Sequence, residues 1–406
     1  MQRRLSLEQS PELATVLRFF LATPLFALLA GMLLLWQGEA AFHSRWSPAT
    51  LALTHLFTLG VLGMSMLGAL IQILPVVAGC ELPHVDKMAR TVHALLGAGT
   101  LVLAGAFLGS RAWLFALAVA LLAPALLWFI GCLAVSLWRA VPEGAAPMVA
   151  MVRLALAALL VTVVLGALLG TALALPGALS LPLMRVTDLH ALWGLFGWGG
   201  LLLAGVAFQV LPMFQVTPLY EGRLERHLGL AVVLALMLHV ANATLAASVL
   251  LCAVCMWFAG ATLRLLARRT REPDAMTRFW RLSMASLLAA VILWAAGQPL
   301  APWVLLIAGV LFSAINGMLY KIVPFLLWRD SPGQRQVKHI IPDALAQRQY
   351  RLQLLALVLL LAACWYPEPL AHAAGAATAL SALALAWNLL RACRQVPLKI
   401  HVASPD

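Results

Sequence analysis

The sequence predicts an all-α polytopic membrane protein: a single transmembrane domain of twelve helices in three four-helix arcs with pseudo-threefold symmetry. Three observations carry this expectation. Of 406 residues, 63% are hydrophobic and only 10% are charged, more apolar surface than a water-soluble domain of that length can hide. The apolar residues gather into twelve runs, each close to or above the ~20 residues a bilayer-crossing helix needs. One pattern is written three times, as GALIQILPVV (68–77), GVAFQVLPMF (205–214) and GMLYKIVPFL (317–326).

The runs read, in order, 12–36, 49–75, 88–109, 112–138, 148–176, 183–214, 226–246, 248–267, 276–297, 302–328, 347–366 and 369–391. The first follows Met1-Gln2-Arg3-Arg4 and is too long for the apolar core of a signal peptide. The net charge of +12 would suggest nucleic acid in a soluble protein, but here it is topological. With the N-terminus placed in the cytoplasm, only Arg45, Arg111 and Arg185 of the 27 Lys and Arg lie at the outer side, and the other 24 (27 − 3) lie at the inner side. That asymmetry predicts a bacterial-type inner membrane protein with both termini cytoplasmic. Trp36, Trp46, Trp113, Trp303 and Trp365 near outer ends, with Trp138, Trp280 and Trp328 near inner ones, agree with this orientation. The six cysteines are scattered and suggest no disulfide framework.

The repeat falls on runs 2, 6 and 10, near their cytoplasmic ends, at offsets of 137 (205 − 68) and 112 (317 − 205). Its period is therefore four helices, giving arcs of about 1–140, 141–270 and 271–406. In each copy Gly permits close helix approach, Pro ends or kinks the helix, and Gln72, Gln209 or Lys321 stands at one register. Lys321 either snorkels to the cytoplasmic interface or binds an anion.

Twelve spans in three arcs, with His near the outer ends of the second and sixth, resemble the catalytic subunit of heme-copper oxidases and the related NnrS family. The stretch THLFTLGVLGMSMLGALIQILPVVAG (54–79) is similar to their second helix, whose His binds heme. The resemblance implies a heme, nitric oxide or oxygen handling or respiratory electron transfer, and a respiratory redox partner. It also has gaps. Where the oxidases carry His on the tenth helix, this chain offers Gly309 and Val310; where they carry a His pair on the seventh, it has His239 followed by Val240; and Gly194 stands four residues past His190 in place of a Tyr. A complete oxygen-reducing centre cannot be assembled from these residues.

Read by themselves, His55 and His190 lie seven residues past Pro48 and eight past Pro182, so both sit about 10–12 Å below the outer helix ends. His239, six residues before Leu245, reaches about 9 Å from the same side. Imidazoles at such depth are functional candidates, and neutral imidazole is a common metal and heme ligand; the alternative is a hydrogen bond across a helix interface. His55 is the first candidate axial ligand of a b-type heme, with His190 as its partner or alternative, while His190 and His239 are candidates for a second metal such as copper. His43, His84, His339 and His401 fall in loops or the tail, His227 and His372 at interfaces, and His93 reads as structural. Cys252 and Cys255, one helical turn apart, offer a soft-metal pair or simply small core residues, which leaves a metal-handling permease as an alternative function. A non-catalytic assembly subunit of a respiratory complex is another. Asp188 answers Arg185 or caps its helix. No Asp or Glu falls at a midplane position, as a proton-coupled carrier would need, and phosphate-binding loops, catalytic triads and zinc-protease motifs are absent. The expected partners are the lipid bilayer, a small gaseous ligand and a redox protein, with no nucleic acid.

Overall fold

In a computed structural model, residues 7–138, 145–330 and 336–395 are described. Both chain ends, including His401, lie outside them, and with the ends the expectation of cytoplasmic termini. Among the described residues every regular element is helical, and twelve are long rods: α1 (Leu13–Gln37), α2 (Pro48–Ala78), α3 (Val85–Gly109), α4 (Ala112–Leu137), α5 (Ala146–Ala174), α6 (Leu183–Gln215), α7 (Gly222–Val240), α8 (Thr244–Ala267), α9 (Ala275–Ala295), α10 (Ala301–Asp330), α11 (Asp343–Ala363) and α12 (Pro367–Gln395). Ten are long and apolar enough to cross a membrane, and the chain is a polytopic helical membrane protein. The other two, α7 and α11, open with charged turns holding Arg223, Glu225 and Arg226, and Asp343, Arg348 and Arg351.

Rod starts follow local chemistry. Ser47 caps α2 by accepting a hydrogen bond from the Thr50 amide, with Pro48 in the first turn, where no N–H is needed. Asp274 and Thr277 form a reciprocal capping box on α9. One boundary departs from the apolar pattern. α7 ends at Val240, because Asn242 takes a left-handed conformation (φ 64°) and its amide bonds back to the His239 carbonyl. The run does not continue to Leu245, so His239 sits in the last turn of α7, closer to the helix end than the sequence suggested.

α2, α6 and α10 are central. The most apolar stretches of these rods are 89%, 67% and 83% buried, against 33% in α3 and α4, and α10 touches both α2 and α6. Around them α1 packs on α12, α4 on α5 and α8 on α9. The α1–α12 seam is the tightest. A Cβ on Gly31 would lie 2.5 Å from the Ala379 nitrogen, and one on Gly375 would lie 2.4 Å from the Leu35 nitrogen, the close approach that small residues allow in membranes.

Each central rod carries a π-helical segment: Leu56–Gly63, Trp193–Gly200 and Leu305–Leu311. Their first residues are 137 (193 − 56) and 112 (305 − 193) apart, the offsets of the sequence repeat. The packing explains why. Gly60, Gly197 and Gly309 press on Phe26 of α1, Ala158 of α5 and Ser286 of α9, while Gly68, Gly205 and Gly317 press on Phe19, Met151 and Phe279 of the same three rods. In every pair the glycines are eight residues apart and their partners seven. On a regular α-helix eight residues overshoot two turns by about 80°, which would swing one glycine off the seam. A π segment absorbs the extra residue, so both glycines face the neighbouring rod.

In two copies the polar residue of the repeat reaches toward the start of a neighbouring rod. Gln72 Nε2 donates to Ser10 Oγ at 3.3 Å, just before α1. Lys321 Nζ lies 2.5 Å from Asp274 Oδ2, at the cap of α9. Lys321 is thus held by this carboxylate. Burial alone would raise the Asp274 carboxyl, but the Lys321 ammonium, with help from Thr277 and Gln215, holds it below the usual carboxylate range. We expect Asp274→Ala to destabilise the protein by about 1–3 kcal/mol by leaving a half-buried ammonium unpaired. Adding Lys321→Gln, which restores the residue of the other two copies, should recover most of that loss. Thermal unfolding of the single and double variants in detergent checks it, and additive losses would refute the pairing.

Candidate functional site

His55 closes the α-helical turn just before the π segment of α2, and His190 lies three residues before that of α6. π-bulges are frequent at functional sites because they re-aim neighbouring side chains. The two histidines are 135 residues apart (190 − 55), two short of the repeat, so they occupy non-equivalent registers. Their rings nevertheless face each other, with centroids 6.3 Å apart and planes 20° from parallel.

Each ring is anchored on one nitrogen. His55 Nδ1 is 2.8 Å from the Leu51 carbonyl oxygen one turn earlier on α2, and His190 Nδ1 is 3.0 Å from the Thr162 carbonyl oxygen of α5. A carbonyl only accepts, so both Nδ1 atoms carry the proton and both Nε2 atoms keep a free lone pair. That is the arrangement metal-binding histidines use: one nitrogen oriented by a backbone acceptor, the other left to coordinate. Gly166, one turn beyond Thr162, makes room for the His190 ring, since a Cβ there would lie 2.9 Å from His190 Cε1.

Both rings line a cavity of about 520 Å³ enclosed by parts of α1 to α6, α10 and α11, within the range of cofactor pockets. Its wall is aliphatic and aromatic, relieved by Thr50, Thr54, Thr58, Thr162 and Thr187, and among the described residues its single ionised side chain is Arg45. The cavity explains an oddity of α6. Although that rod is central, its first ten residues, Leu183–Leu192, include no buried one. Protein interiors close-pack, and here Leu183, Thr187, His190 and Ala191 border open space instead.

Other sequence candidates stand apart. His239 does not line the cavity; its Nδ1 is 3.1 Å from the Ala235 carbonyl and its Nε2 is 3.5 Å from Ser248 Oγ. Among the described residues no group of three or more His, Cys, Asp or Glu could hold a metal ion. Cys252 and Cys255 are free thiols. Asp188 pairs with Arg45 at 2.7 Å, whereas Arg185 bonds the Asn242 side chain and the Val240 carbonyl. His93 packs edge-on against Phe19 at 5.2 Å, a structural role. The Thr162 carbonyl, Gly166 and Arg45 belong to the site and were not apparent as such from sequence. Gly166 falls in an apolar run of α5 with nothing to link it to His190, and Arg45 read only as one of three outer basic residues. No protein-family model matches the chain, and no curated protein matches it.

Proposed function

We propose that the chain is a heme-binding inner membrane protein of heme-copper oxidase or NnrS type, holding one b-type heme between His55 and His190 for electron transfer. The carrying observation is the facing pair of imidazoles, each with Nδ1 tied to a carbonyl. The ring centres are 6.3 Å apart, and His55 and His190 are the residues that would hold the group. The residues fit the group. When bound, it supplies a one-electron couple, while the chain orients both ligands and surrounds them with apolar side chains that keep water away. Held by both imidazoles, the group would serve electron transfer; held by His55 alone, it would also have room for nitric oxide. His239 is outside the cavity, so the copper reading would have to rest on His190 without it.

The same reading takes all twelve rods as spans in three arcs. Equal offsets of the π segments, the threefold glycine register and the exposed apolar stripe Leu230, Leu234 and Met237 on α7 (61%, 53% and 51% exposed) support it. The excess of Lys and Arg in alternate loops supports cytoplasmic termini. Purified from a heme-replete host, the protein should show a Soret band that shifts on dithionite reduction and a pyridine hemochrome of b type. A preparation that stays free of heme after reconstitution with hemin refutes the proposal, and bound copper without a Soret band would favour the metal-handling alternative.

A further inference from the structure

The cavity's only ionised wall residue sits at its outer rim. Arg45 precedes the Ser47 cap of α2, lies with its guanidinium carbon 4.3 Å from the Trp46 ring centre, and pairs through Nη1 with Asp188 Oδ1 at 2.7 Å. Both side chains of that pair are about half exposed, at 41% and 46%. An exposed pair of this kind contributes little to stability, so its exchange for another partner is cheap. We propose that Arg45 is the acid-recognising residue of the cavity, exchanging Asp188 for a carboxylate of the bound ligand; this rests on the heme reading above.

The chemistry of the walls selects the ligand. An apolar body fits among the aliphatic and aromatic side chains, a metal fits the two free Nε2 atoms, and an acid at one edge fits the planar, five-donor guanidinium, which binds carboxylates in fork geometry. His55 lies seven residues past Pro48, about 10 Å below the rim at 1.5 Å per residue. That is the scale on which a porphyrin separates its metal from its acid groups, so a dicarboxylate porphyrin would sit with its acids at the outer rim. A neutral macrocycle or a quinone would leave Arg45 on Asp188. Asp188 is then a positioning residue: it lies two residues before His190 on α6, holds the guanidinium over the rim, and competes with the incoming acid.

The test uses the detergent-purified full chain, stripped of any heme, titrated with ferric protoporphyrin IX and with its dimethyl ester and read by the Soret band. Wild type should prefer the free acid by roughly tenfold or more, the size of one charge-assisted hydrogen bond. Arg45→Gln should abolish that preference without weakening ester binding, Arg45→Lys should keep part of it, and Asp188→Asn should preserve or enlarge it. Equal affinity of wild type for acid and ester, or a full preference surviving in Arg45→Gln, overturns the assignment of Arg45 while leaving the heme reading intact. Failure of wild type to bind either porphyrin overturns both.

Discussion

His55→Ala, expressed and purified beside wild type, should retain less than about a tenth of the wild-type heme. On the proposed reading the substitution would take away one of the two residues that hold the heme and leave the apolar wall to hold it. Even outer partners of metal ligands typically change affinity about 10–100-fold. His190→Ala should also lose heme, and what remains should show a spectrum altered by loss of the second imidazole. His55 depends only on its own helix for orientation, through Leu51, while His190 depends on α5 through Thr162. External imidazole should therefore restore the spectrum of either variant, because the space each ring vacates is preformed. His239→Ala, outside the cavity, should keep full heme content. Heme content by pyridine hemochrome and the optical spectrum of each variant decide the matter. If both single variants keep full heme with an unchanged spectrum, the heme does not lie between these residues.

The second large effect concerns the α1–α12 seam. Gly375→Val places a Cβ 2.4 Å from the Leu35 nitrogen and 2.7 Å from its Cα, and Gly31→Val places one 2.5 Å from the Ala379 nitrogen. These are backbone atoms, so no rotamer change relieves the clash, and the two rods must separate. Overpacking costs about 1–3 kcal/mol and sometimes more; here it falls on the contact between the first and last rods. Each variant should unfold in detergent at a clearly lower temperature than wild type. Gly131→Ala and Gly260→Ala are controls, since an added Cβ at either meets nothing within 4 Å. Those should be neutral or mildly stabilising, because Ala is the better helix former. Seam variants that unfold like the controls would show that the rods are not in contact as described.

Much of the fold was legible in sequence because the bilayer imposes a length and an apolar content on each helix. Rods such as α3 and α4 begin and end within a few residues of the expected positions. The α7–α8 boundary was misplaced because the chain turns at Asn242 by a backbone conformation, while the surrounding residues stay apolar. The repeat was visible through Gly, Gln or Lys, and Pro. Its second glycine column, Gly60, Gly197 and Gly309, stands at the same offsets and could have been found by extending the comparison eight residues upstream. Its purpose could not, since it needs the partner rods. Depth singled out His55 and His190, but depth says nothing of direction around a helix axis. That they face each other depends on the local geometry of two rods, which hydropathy does not encode. Lys321 drew two readings from its position in an apolar run, and neither named Asp274, 47 residues earlier (321 − 274), because pairing across rods leaves no local trace.

The π segments also carry a historical consequence. An extra residue in a helix is an insertion, and independent insertions would not be expected to land at one register in three places. If the three central rods descend from one unit, the insertion entered that ancestral unit before it was copied, and every copy inherited both the bulge and the glycines that depend on it. The imidazoles tell the opposite story, for the positions matching His55 are Leu192 and Val304 and those matching His190 are Leu53 and Pro302. Neither histidine is therefore part of the repeat. On that descent the bulged glycine frame is common to the three copies and the two histidines are not, so distant relatives should keep the frame while placing different side chains at the cavity.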